Sequence, residues 1–545
     1  MSASSVVPQD VHAESESPEA TKTLSIHTPE ITLSNEDLDD RAEEQRQPIQ
    51  INRTLADLAI EAGVRCFVDQ TKSSFALIPV EAPTPHVECL PLASKAFLGR
   101  LDELLQTIPS IAGCYQLKDL QKAVKQLELF AVRSGRKRLE SRLTSEDQQV
   151  LVDLGDEQWQ MIAVDKVGWS VVPQRRPHFF RPAHQRPLVN PVAGGSVDEL
   201  FEFTPVNPLG DQLLLLAWLL SAFVLWVPSP ILLLTGSQGS GKTTRSRWLR
   251  SLVDPSEVPV LGEIEMRQLV QTFAYHAVAC FENVSTFNRP VSDQFCRAVT
   301  GDGVERRKLY TDSDSVLYSF RRAILINGLT IPSERPDFLD RSIVLEFNRP
   351  AEFKTASELD QAFKAASGRI LGALLDLLVK TFGLLESMPP ASEFRMADFA
   401  RFGRAVAVAL GRTTHDFDTA YRDNIRRVRQ QLLEEHLLGR LLREFATSFT
   451  ESRPWTGIVS ELLDSLCSHA KRKGLPRVES ELTKSKSKLS RELEDLQEAF
   501  LQEGIVLKRL KRTSGKRAWE IFAQAPPSTV NVAAIQHRLE GGNNG

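Results

Sequence analysis

The chain of 545 residues has few cysteines and no cysteine pattern: Cys66, Cys89, Cys114, Cys280, Cys296 and Cys467 lie scattered, and none forms a CxxC pair. That excludes a disulfide scaffold and a zinc site of the common spacings. Reduced, mostly buried thiols in a cytoplasmic protein are the expectation. Long apolar runs are also missing. The longest, Leu213 to Val227, has 15 residues and stops at Pro228-Ser229-Pro230. A membrane span needs about 20. A buried helix followed by the buried strand Ile231–Leu234 is the better reading, and no membrane partner is expected. The start, MSASSVVPQDVHAESESPEA, has neither a basic n-region nor an apolar h-region, so no signal peptide is expected. No internal repeat is visible.

What is present is ordinary globular composition, 42% hydrophobic and 25% charged. At about 150 residues per domain the length allows three to four domains. The net charge of −4 hides an asymmetry: residues 1–50 hold 11 acidic against 3 basic residues, which leaves +4 for the rest. Segment 1–50, rich in Ser, Glu, Asp and Pro, reads as a disordered acidic tail. Segment 51–190 reads as an α+β accessory domain, from the helical RTLADLAIEAG to the strands QVLVDLG, QMIAV and GWSVV. A Pro/Arg-rich connector spans 174–195. Segment 191–350 alternates helices with the short apolar strands ILLLTG, VPVLG, AVACFE, RAILING and SIVLEF, the pattern of a parallel α/β sheet. Segment 351–440 is helical, 441–525 reads helix, helix, hairpin, and 526–545 is a flexible tail.

Gly236-Ser237-Gln238-Gly239-Ser240-Gly241-Lys242-Thr243 fits G-x-x-x-x-G-K-[ST] at every position. Glycines let backbone amides curl around phosphate oxygens. Lys242 is placed for the β- and γ-phosphates of ATP, and the Thr243 hydroxyl for Mg²⁺. The helix that begins there, with Thr244 in its first turn, points its positive end at the phosphates. A preceding strand and a following helix distinguish this segment from an ordinary Gly/Ser turn.

Such a site needs a second acidic group at the end of a neighbouring strand. His276–Phe281 ends at Glu282-Asn283. Glu282 is the candidate metal-shell acid or base, and Asn283 the candidate for orienting water. The alternative is a carboxylate that only caps a turn. Ala323–Ile326 ends at Asn327, either a γ-phosphate sensor or a turn former. Asp337-Phe338-Leu339-Asp340-Arg341 leads into another strand. Arg341 is either an arginine finger or the partner of Asp337 or Asp340. Arg306-Arg307-Lys308, beside Tyr310, suits a hairpin touching nucleic-acid phosphate; a solvated charge run is the other reading.

The stretch from about 215 to 411 resembles a family of phage, plasmid and integrated-element ATPases. These are related to superfamily-three helicases of the AAA+ class. The resemblance rests on LLLTGSQGSGKTT, SLVDPS, FENVSTF, VSDQFCRAVTGDGVERRKLYTD, RRAILING, RPDFLDRSIVLEF and FRMADFARFGRAVAVALG. The strand pair VLVDLGDEQWQMIAVDKVGWSVVP and the connector FFRPAHQRPLVNPVAGG also look like the family's entry to its core. The resemblance implies Walker A at Gly236–Thr243, Walker B near Glu282, sensor one at Asn327, a finger at Arg341 and a DNA-touching hairpin at Arg306–Lys308. It also implies a sensor-two candidate at Arg395. A ring of copies, a hexamer, and pairing with a primase or primase-polymerase follow from the same resemblance. Relatives usually carry Asp where Glu282 stands. No primase pattern is visible in the first domain.

In the C-terminal segment, Leu489, Leu493, Leu496 and Phe500 make one apolar stripe. Bases gather at Lys484, Lys486 and Lys488, and at Lys511, Arg512, Lys516 and Arg517 around Gly515. This resembles a winged helix that touches DNA; a protein-docking version of that fold is the alternative. The expectation is therefore a multidomain α/β protein. It would have a P-loop AAA+-like core, a helical lid, a winged helix, and an ATP- and Mg²⁺-dependent helicase activity on single-stranded or forked DNA. The competing expectation is a nucleotide-switched DNA-binding regulator, loader or defence ATPase with little turnover.

Overall fold

The computed structural model describes residues 53–524, apart from residues 82, 147, 175–177, 263–265, 302, 308–314, 320, 334, 350–354, 475–485 and 514–515. The acidic segment 1–50, the tail 526–545, Lys308 and Lys484 lie outside the described residues.

The described chain begins with α1 (Leu55–Glu61), opened by a capping box between Thr54 and Asp57. An antiparallel sheet follows, β1 (Arg65–Val68), β2 (Ser74–Val80) and β3 (His86–Pro91), then α2 (Lys95–Gln106) and α3 (Leu117–Arg133). Ala56, Ile78, Phe97, Leu101 and Leu127 close a core between these elements. The next sheet, β4 (Leu143–Glu146), β5 (Gln149–Asp153), β6 (Gln160–Val164) and β7 (Trp169–Pro173), is an antiparallel meander. Its Val150, Val152, Ile162 and Val164 belong to a different core, shared with the central sheet. A third cluster, Phe67, Phe75, Cys89, Leu139 and Trp159, joins the two sheets.

The connector leads to α4 (Glu199–Phe203) and α5 (Leu209–Ser221). α5 is apolar all round and buried from Leu213 to Ser221, as a core helix must be. Among the described residues no helix is long and apolar enough to cross a membrane. The central elements are β8 (Ile231–Thr235), α6 (Lys242–Ser251), α7 (Met266–Tyr275), β9 (Val278–Phe281), α8 (Arg289–Thr300), β10 (Gly303–Arg307), β11 (Ser315–Ser319), β12 (Ala323–Asn327), α9 (Pro336–Leu339) and β13 (Ser342–Glu346). The sheet order is β13-β8-β12-β9, all neighbours parallel. The expected strand at VPVLG is not one: it makes only a parallel bridge, Leu261 to Phe281. Pro259 has no N–H for a ladder. The carbonyls of Val258 and Pro259 instead accept from the buried Arg250 guanidinium at 2.9 and 2.8 Å.

Helices α10 (Ala356–Leu385), α11 (Ala397–Ala409) and α12 (Thr414–Glu435) pack behind the sheet. α10 holds α6 in place: Trp248 stacks on Phe363 at 5.0 Å, and its indole N–H donates to Asp360 at 2.8 Å. α12 lies along β13, the edge strand, where Asn424 donates to Val344 O at 2.7 Å and accepts from Val344 N at 3.0 Å. An exposed edge is thereby satisfied by one buried amide. The described residues end with α13 (Leu437–Ala446), β14 (Trp455–Ile458), α14 (Val459–Arg472), α15 (Lys486–Gln502), β15 (Ile505–Thr513) and β16 (Lys516–Ala523), with sheet order β14-β16-β15. Leu489, Leu493, Leu496 and Phe500 of α15 are fully buried.

Candidate functional site

The fully buried strand β8 delivers the chain into Gly236–Gly241, and α6 starts at Lys242. Two glycines are required by geometry. Gly236 has φ +136°, and a Cβ there would stand 2.2 Å from the carbonyl oxygen of Phe347. Gly241 caps α6 in the left-handed region at φ +77°. Ser237, Gln238 and Gly239 are exposed, Ser240 is buried, and Lys242, Thr243 and Thr244 are half-buried.

Lys242 Nζ lies inside the loop. It donates to the carbonyls of Gly236 at 2.8 Å and Ser237 at 2.9 Å, and to Ser240 Oγ at 3.3 Å. Burial holds its ammonium below the usual lysine range. The Thr243 hydroxyl donates to Glu282 Oε1 at 2.5 Å, across from α6 to the end of β9. Asn327, at the end of β12 between β8 and β9, is 2% exposed. Its Nδ2 donates to Ser246 Oγ of α6 at 3.1 Å, and its Oδ1 accepts from the Asn283 N–H at 3.2 Å. Asn283 is exposed and has φ +55°, a left-handed conformation that asparagine tolerates better than most residues. Lys242, Thr243, Glu282, Asn283 and Asn327 therefore meet at one end of the sheet.

Two further arginines line this end. Arg245 donates to the Ser240 carbonyl and lies over the Phe347 ring at 4.9 Å. Burial lowers its pKa from the usual arginine value. Arg349 Nε stands 3.9 Å from where a Gly239 Cβ would be. Neither belongs to the motif pattern. Arg349 follows β13, and only the parallel pairing of β13 with β8 brings it to the loop.

Arg341 is at the opposite end. Its carbonyl accepts from the N–H of Ile231, the first residue of β8, at 2.7 Å. At about 3.3 Å per residue that is roughly 16 Å of strand before Gly236, farther than an arginine side chain extends. Arg341 Nη1 donates to Asp337 Oδ1 at 2.5 Å. Arg395, expected as a nucleotide contact, stands with Arg341 instead: its Nη2 donates to the same Asp337 oxygen at 3.3 Å. The short α9 and the turn before α11 bring the two arginines to one carboxylate. Asp340 is engaged by Arg429 rather than Arg341.

Arg306 and Arg307 are on β10, whose hairpin with β11 leaves the end of the sheet where β12 begins. Lys486 and the exposed Lys488 are in the first turn of α15; Lys511, Arg512, Lys516 and Arg517 are on β15 and β16. Arg306 and Arg307 thus stand on a different sheet from Lys511, Arg512, Lys516 and Arg517. Cys66, Cys89, Cys280 and Cys296 are buried, Cys467 is half-buried and Cys114 exposed. Burial pushes the Cys280 thiol up to about 12.

No curated protein matches the chain. Among solved structures, the apo C-terminal region of NrS-1 is 13% identical and aligns over 86% of this chain and 99% of that one, with a TM-score of 0.37. An active Cch helicase of SCCmec type IV is 12% identical over 84% and 93% of the two chains, with a TM-score of 0.43. The JCV helicase is 17% identical over 40% and 65%, with a TM-score of 0.19. Residues 197–429 match the family described as Actinomycete integrative conjugative element replication protein. Over that span, which holds the phosphate loop, the central sheet and the helices behind it, the chain is similar to replication proteins of mobile elements.

Proposed function

We propose that the protein is an ATP-hydrolysing DNA motor, a ring-forming helicase that serves replication of a mobile element. The observation that carries this reading is the 2.5 Å pairing of Thr243 with Glu282 at the mouth of the phosphate loop. A hydroxyl and a carboxylate side by side are hard oxygen donors, the set that Mg²⁺ accepts together with phosphate oxygens. The residues fit the ion, and Thr243 and Glu282 would hold it. When bound, the ion would supply positive charge against the phosphates.

Lys242 gives up its loop carbonyls for the β- and γ-phosphate oxygens of ATP. Those carbonyls are weaker partners for an ammonium than a charged phosphate. The free amides at the start of α6 face the phosphates. Asn327, held by Ser246 and the Asn283 backbone, presents a fixed polar group to the attacking water, and Asn283 borders it. Glu282 accepts the proton from that water. Arg341 acts in trans: it serves the site of a neighbouring copy, with Arg395 beside it, and stabilises the charge of the transferring phosphoryl group. Arg306 and Arg307 on the hairpin, Lys308 next to them in sequence, and the bases of a winged-helix C-terminal module meet DNA phosphates.

The test is ATP hydrolysis with and without single-stranded DNA, with Lys242→Ala as the blank. DNA-stimulated turnover that the variant loses by about 10²-fold or more is the expected result. Tight ATP binding without turnover, whatever DNA is added, would replace the motor by the nucleotide-switched regulator.

A further inference from the structure

Arg429 of α12 joins two regions that the proposed mechanism uses separately. Its Nη2 donates to Asp340 Oδ1 at 2.6 Å and to Glu498 Oε1 at 2.9 Å. The Arg429 side chain is 8% exposed, against 21% for Asp340 and 37% for Glu498. Asp340 precedes Arg341 on the turn between α9 and β13. Glu498 sits on α15, the helix whose first turn carries Lys486 and Lys488.

The turn is held twice. Asp337 takes the Arg341 side chain, and Arg429 takes the neighbouring carboxylate. α12 is itself fixed to β13 by Asn424, so Arg429 is a firm post against which the turn is set. The two N–H groups of one nitrogen serve the two carboxylates, which ties Asp340 of the turn to Glu498 of α15 through a single guanidinium. Arg429 Nη1 is buried and has no partner among the described residues. No second acceptor there compensates if Glu498 moves away.

We propose that Arg429 is a positioning residue that passes the placement of the C-terminal module to the Arg341 turn. Engagement of α15 by nucleic acid then changes the rate of ATP hydrolysis and not the affinity for ATP. This rests on the reading of Arg341 as a trans-acting residue.

The experiment uses the full chain and measures kcat and KM for ATP with single-stranded DNA, alongside the thermal midpoint. The variants are Glu498→Gln, Arg429→Lys, Arg429→Met and the control Arg341→Ala. Glu498→Gln is nearly isosteric and half-exposed, so it keeps the fold. Expected is a loss of about tenfold in its kcat, the size of one charge-assisted hydrogen bond, with KM and thermal midpoint as in the wild type. Arg429→Lys retains more turnover than Arg429→Met. Unchanged kcat in Glu498→Gln, with turnover lost in Arg341→Ala, overturns the coupling alone. A fall in kcat, affinity and thermal midpoint together also overturns it, because that is a merely structural role. Normal turnover in Arg341→Ala removes the trans-acting reading and the coupling with it.

Discussion

The two ends of the central sheet are built from similar residues and prepared for different tasks. At the end where β8, β9 and β12 finish, Lys242, Thr243, Glu282 and Asn327 face one another, and the Lys242 ammonium is matched only by carbonyls and a hydroxyl. At the other end the charges are satisfied within the chain. Arg341 and Arg395 share Asp337, and Arg322 reaches Glu140. Arg142 meets Asp254 at 3.3 Å, and Asp254 also accepts from the N–H groups of Ala277 and Val278. A cation held by neutral dipoles transfers readily to an incoming anion. A cation held by its own carboxylate transfers only if a stronger anion arrives with the right geometry. The first end is poised, and the second is latched.

The strongest way to break this comparison is a mixing experiment. Lys242→Ala and Arg341→Ala should each lose turnover, by about 10³-fold for the arginine, while Arg341→Ala still binds ATP. Mixed in equal amounts, they should recover part of the activity, because each supplies the end the other lacks. Two inert proteins that stay inert when mixed would put both ends in the service of one chain. A smaller effect tests how the latched end is held. Asn424→Ala leaves the Val344 N–H and C=O without their partner, at a cost of about 1–3 kcal/mol per group. Chemical denaturation should show that loss, and a wild-type midpoint would mean that β13 needs no support from α12.

The smallest effect is a pH dependence at the same end. His276 packs against His184 at 3.9 Å, and its Nδ1 accepts from Arg250 Nη2 at 2.8 Å. Burial, then the positive Arg250, hold its pKa down at about 3. The unfolded chain takes up this proton near the ordinary value of about 6.5, and the folded chain resists it. The stabilisation is therefore complete above that pH and drains away as pH falls towards about 3. The slope is at most about 1.4 kcal/mol per pH unit. The loss should be reduced in His276→Asn, read as the difference between the two denaturation midpoints at each pH. Parallel curves for the two proteins would show that His276 already takes a proton in the fold.

Much of the architecture was legible along the chain. The order strand, phosphate loop, helix is local, and Ile231–Thr235, Val278–Phe281, Ala323–Asn327 and Ser342–Glu346 are short apolar runs bounded by turn residues. The stripe Leu489, Leu493, Leu496, Phe500 announced the buried face of α15. VPVLG misled because its composition suits a strand while Arg250, far from it in pattern, takes its carbonyls. The sheet β1–β3 was missed because SFALIPV and HVECLP carry prolines and charges that blur the alternation. Arg395 was expected at the phosphates from the family resemblance alone; within one chain its side chain meets Asp337, 58 residues earlier. Asn424 and Arg429 gave no signal at all, since a polar residue inside a helical pattern reads as solvated.

What the sequence determined by itself is the local form of the loop end: an eight-residue motif sets its own backbone path, and the nearby apolar strands must be buried wherever they pack. Only the tertiary structure decided which charges are spent on partners. Arg395, Arg429 and Asn424 are polar residues whose partners are remote in sequence, whereas Arg341 meets Asp337 only four residues away. A side chain's reach is a few ångströms, so its partner follows from the fold and not from spacing along the chain.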